Sequence, residues 1–81
     1  MIQVIRFKNL EDGYELNVQV EGKLMLTNGI IERTKMAIEE YKADNDKDWD
    51  FDGVVNAACD YLETEGYMCY LDVFPDYEIE V

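Results

Sequence analysis

Five aspartates, Asp44, Asp46, Asp48, Asp50 and Asp52, stand at every second position of one short stretch, with Trp49 and Phe51 between the last of them. Two chemistries are open to carboxylates so arranged. Asp48-x-Asp50-x-Asp52-Gly53 reproduces the opening of a calcium loop, which takes oxygen ligands from positions one, three and five and turns on a glycine at six. Val55 falls at the apolar eighth position, but the twelfth, where a bidentate Glu closes the shell, is Cys59, and Asp60 comes one residue late. The second chemistry is geometric. In an extended chain the five carboxylates project from one side at intervals of about 6.6 Å, twice the strand rise. They then resemble the phosphates along one nucleic-acid strand, while Trp49 and Phe51 face the other way and staple the run to the core. A purely local use competes with both: Asp50 or Asp52 caps the next helix and the remainder is a solvated loop.

The local use leaves the wider charge pattern unexplained. Nineteen acids against seven bases give a net charge of −12 over 81 residues. Residues 1–26 hold four acids and three bases, whereas residues 48–81 hold ten acids and no Lys or Arg. Asp60, Glu63 and Glu65, then Asp72, Asp76, Glu78 and Glu80, extend the negative field past the aspartate run. Solubility needs only about 2–8 units of net charge in a small domain, and the excess destabilises the fold by self-repulsion. The surplus therefore points to a basic partner.

Catalytic constellations are missing. The chain has no His and no Ser, which removes the Ser-His-Asp and Cys-His arrangements and most general bases that work near neutral pH. Its five glycines are isolated, so no phosphate-cradling loop is present. Cys59 and Cys69 sit among apolar neighbours, read as free buried thiols, and match no zinc spacing. The reading is a non-enzyme with no cofactor. The opening residues carry no basic leader and no apolar run of membrane length, so the chain is expected in the cytoplasm, with no membrane partner.

The elements that must position these residues follow from patterning. Nearly half the residues are apolar and 12% are aromatic, too many for a disordered acidic tail, and the length suits one domain spanning 1–81. Ile2–Lys8 is rich in strand formers, and Tyr14, Leu16, Val18 and Val20 alternate on one face of a second strand. Leu24-Met25-Leu26 reads as a third. Thr27 or Asn28 caps a helix to about Tyr41 with Ile30, Ile31, Thr34, Ala37, Ile38 and Tyr41 inward. A second helix runs from about Gly53 to Glu65, stopped by Gly66. Tyr67–Val73 and Tyr77–Val81 read as strands, the last at a sheet edge where a second copy could pair to form a homodimer. The order β-β-β-α-α-β-β argues an α+β fold: a small antiparallel sheet with two helices on one face.

In size, charge and expected build, though in no motif, the chain resembles the small acidic proteins with which bacteriophages and mobile elements occupy nucleic-acid-binding proteins: DNA mimics, many anti-CRISPR proteins, and inhibitors of uracil-DNA glycosylase or of histone-like proteins. The resemblance implies a protein that binds the basic groove of a nucleic-acid-binding protein and not nucleic acid itself. The expected partner-binding residues are Asp44, Asp46, Asp48, Asp50 and Asp52, flanked by Asp60, Glu63, Glu65, Glu78 and Glu80. A calcium-binding regulatory module and a non-catalytic acidic structural domain are the alternatives.

Overall fold

A computed structural model describes residues 2–71 and 77–81. Strand β1 (Ile2–Lys8) and strand β2 (Glu15–Glu21) form an antiparallel hairpin in which Ile5 faces Val18 and Phe7 faces Leu16. Its loop is pinned by its own side chains, with Asp12 Oδ1 accepting from the Tyr14 amide at 2.8 Å. Helix α1 (Asn28–Asn45) begins at Thr27, whose hydroxyl accepts from the Ile30 amide. A 3-10 turn (Asp46–Asp48) leads to helix α2 (Phe51–Thr64), and strands β3 (Met68–Leu71) and β4 (Tyr77–Glu80) follow. Gly66, with φ of +93°, supplies the left-handed residue that turns α2 into β3.

The sheet order is β3-β2-β1-β4. Strand β3 runs antiparallel to β2, but β4 runs parallel to β1, so the four-stranded sheet is mixed where an antiparallel one was expected. Alternation places Ile5 and Phe7, Val18 and Val20, and Ile79 on one face, all fully buried or nearly so. Both helices close over that face: Ile30, Ile31 and Ile38 from α1 meet Val54, Val55, Ala58 and Leu62 from α2 in the same cluster. The α+β build with two helices on one side of the sheet is therefore present.

The expected third strand is not. Residues 24–26 form no ladder. Leu24 and Met25 are exposed, and only Leu26 enters the core, its amide donating to the buried Gln3 side chain. The free edge of β2 is taken by β3 instead, where Val20 pairs with Cys69 and Val18 with Leu71. Four paired residues satisfy that edge better than an isolated apolar triplet, since an unpaired buried backbone group costs about 1–3 kcal/mol. No helix among the described residues is long and apolar enough to cross a membrane. Of the expected strand Tyr67–Val73, residues 72 and 73 lie outside the described residues, as do Asp72 and Asp76.

Candidate acidic surface

The aspartate run does not form an extended row. Helix α1 continues four residues past Tyr41, placing Asp44 in its last turn. Asn45 ends it, its side-chain amide donating to the Tyr41 carbonyl at 2.8 Å. Asp46 then adopts φ of +39° and ψ of −105°, which reverses the chain into the 3-10 turn holding Asp48. Asp50 caps α2, with Oδ1 accepting from the Gly53 amide at 2.7 Å, and Asp52 lies in the first turn. The physical reason is hydrogen-bond supply: each helix end leaves backbone groups without intrahelical partners, and Asn45 and Asp50 satisfy two of them. An extended run would satisfy neither.

The aromatic residues do anchor this corner. Trp49 and Phe51 are half-buried against the core cluster. The Lys42 ammonium lies 4.7 Å above the Trp49 ring, and Phe51 meets Tyr14 edge-on at 5.5 Å between ring centroids. Tyr41 reaches across from α1 and lies against Gly53, whose missing side chain makes room for it. The acids are thus displayed on the outside of a braced helix-turn-helix corner.

On α2 the exposed residues Asp52, Asn56, Asp60 and Glu63 recur every three or four positions. That spacing gathers them into one stripe climbing about 6 Å per four residues. Glu65 follows as the exposed C-cap and accepts from the Tyr61 hydroxyl at 3.1 Å. Asn56, which charge counting passes over, belongs to the stripe; the 52-56-60-63 periodicity was the signal that could have found it.

Glu80 does not join this surface. It is exposed and alternates with the buried Ile79, so it lies on the sheet face away from the helices, in register with Lys8. Glu78 is in register with Arg6, and its side chain lies outside the described residues. The open sheet face is where charge is balanced, as in the Arg6–Glu15 ion pair at 3.3 Å.

Ion pairing separates the two ends of the chain. Among the described residues, Arg6–Glu15, Lys35–Glu32 and Lys42–Glu39 are the salt bridges, and none involves an acid from Asp44 onward. The helix dipoles sharpen the contrast. Asp50 and Asp52 sit at the positive end of α2, where a carboxylate stabilises. Asp44 and Asp46 sit at the negative end of α1, and Glu63 and Glu65 at the negative end of α2, whose last turn holds no base. A carboxylate at a helix C-terminus costs about 0.3–1 kcal/mol.

The same geometry divides the residues that open the calcium pattern. Asp48 is in the 3-10 turn, Asp50 is committed to a cap, and Asp52 and Gly53 are already helical. Among the described residues no three carboxylates or thiols gather closely enough to hold a metal ion. No family model matches the chain, and neither the curated proteins nor the solved structures searched contain a match to it.

Proposed function

We propose that this protein is a non-catalytic, DNA-mimic-type inhibitor of the kind phages and mobile elements deploy, anti-CRISPR proteins among them. It acts in the cytoplasm by occupying the basic groove of a nucleic-acid-binding protein. The carrying observation is that Asp44, Asp46 and Asp48 are exposed and without ion pairs, the first two set at the end of α1 where the dipole opposes them. Capping accounts for Asp50 and solubility needs far fewer charges, so neither explains this placement. A partner rich in Lys and Arg does, through long-range steering and then charge-assisted hydrogen bonds.

The surroundings fit a binder. A cleft of about 410 Å3 is walled by Leu24, Met25, Ile30 and Tyr67, with Arg33, Glu65, the capping Thr27 and the Tyr67 hydroxyl as its polar side-chain groups. That set contains no nucleophile paired with a base. The test is capture of basic nucleic-acid-binding proteins from a bacterial lysate, followed by competition between this protein and DNA for the captured target. Displacement of DNA in a salt-dependent manner supports the reading. A target that holds both ligands at once overturns it.

A further inference from the structure

Cys59 on α2 and Cys69 on β3 are both free and half-buried. They line one shallow cavity of about 170 Å3, walled by Val18 and Val55 and rimmed by the exposed Asn56 and Tyr70. Each thiol is the main influence on the other's titration. Cys69, then burial, Glu63 and Asp60, push Cys59 far above the ordinary thiol range. Cys59 draws Cys69 below that range, against burial and the same two acids. Strand β3 is a sheet edge, bonded to β2 on one side only.

We propose that Cys59 and Cys69 form a reversible dithiol–disulfide pair that ties the edge strand β3 to α2 under oxidising conditions. The oxidant is a small-molecule disulfide such as oxidised glutathione. The Cys69 thiolate attacks one of its sulfurs, the small-molecule S–S bond breaks, and one glutathione thiolate leaves. Cys59 gives its proton to solvent and attacks Sγ of Cys69 in the mixed disulfide, forming the internal bond and expelling the second thiolate. Two electrons pass from the protein to the glutathione disulfide, and the two protons end on the two leaving thiols. Only ten positions separate the cysteines, and the turn at Gly66 folds β3 back so that both thiols line the same cavity.

The experiment treats the folded, reduced protein with oxidised glutathione and follows intact mass, thiol count and Tm. The expected product is a monomer lighter by two hydrogen atoms, with no titratable thiol after denaturation and a Tm raised by about 5 °C or more. Dithiothreitol reverses all three. Cys59→Ala and Cys69→Ala should each stop at a mixed disulfide or stay reduced, with no rise in Tm. Persistent glutathione adducts on the parent, a covalent dimer, two surviving thiols, an unchanged Tm, or a Tm rise in either single variant overturns the proposal.

Discussion

The phenolic oxygen of Tyr41 occupies the space in which a β-carbon on Gly53 would stand, so α1 and α2 meet at a point with no room for one more methyl group. Gly53→Ala gains helix propensity worth about 1 kcal/mol at most, while overpacking costs about 1–3 kcal/mol. Net destabilisation is expected in urea unfolding, and it should shrink in a Tyr41→Phe background, which removes the crowding oxygen. Equal costs in both backgrounds would mean that the phenolic oxygen is not the obstacle.

Asp46 holds a positive φ without being glycine. Strain of this kind costs about 1–3 kcal/mol, so Asp46→Gly should stabilise the protein even after the added entropy of the unfolded chain, about 0.5–1 kcal/mol. Asp46→Ala removes the same charge but keeps the strain. A denaturant midpoint that rises further for Gly than for Ala identifies the backbone as the cause of the difference.

Stability and binding should move in opposite directions at the end of α1. Asp44, Asp46 and Asp48 replaced together by Asn should stabilise the free protein by about 1–2 kcal/mol at low salt, because Asp44 and Asp46 oppose the α1 dipole and the three acids repel one another. The gain should fade in about 0.5 M salt as screening shortens the range of the field. The same variant should bind the captured target more slowly and with a flatter salt dependence, whereas Glu11→Gln with Glu21→Gln should change association little. Asp50 is left in place because it caps α2. Undiminished association by the triple variant places the binding surface elsewhere.

Calcium at submillimolar concentration should raise Tm no more than the same ionic strength of potassium chloride. Asp50 is engaged by the Gly53 amide, and the helix begins before the loop could close. A saturable rise abolished by Asp48→Asn with Asp52→Asn would restore the calcium reading.

Cys69 should alkylate before Cys59, since the thiolate is the reactive form and Cys69 is the thiol drawn downward. Its rate should climb with pH through a midpoint below that of an ordinary cysteine. Cys59→Ala removes the neighbouring thiol that draws Cys69 downward, and the midpoint should move upward. Peptide mapping after brief iodoacetamide treatment at several pH values reads both effects.

Much of the fold was legible where one local signal decided it. Leu16, Val18 and Val20 alternate against polar neighbours, and the strand is there; Thr27 precedes an apolar stripe, and the helix starts there. Leu24-Met25-Leu26 misled because three apolar residues in a row carry no period, and what settles them is long-range competition from Met68–Leu71 for the edge of β2. The parallel pairing of β4 was illegible for the same reason, since direction depends on where the chain returns.

At the candidate surface a true period was read in the wrong geometry. Acids at alternate positions suggest a strand, yet Asn45 and Asp50 carry helix-end chemistry, and hydrogen-bond supply outweighs the pattern of charge. Trp49 and Phe51 were legible as anchors because an apolar aromatic amid aspartates has nowhere else to go.

Phe7 pairs in register with Ile79, 72 positions further along the chain, and this pairing fills the edge of β1 that the hairpin leaves open. Contacts so distant in sequence form late and slow folding. While the chain is being made, β1 therefore offers a bare strand edge to any neighbouring polypeptide for as long as β4 has yet to arrive. Most of the acidic residues are synthesised within that interval. Mutual repulsion between nascent chains would then guard the unfinished sheet against pairing with its own copies.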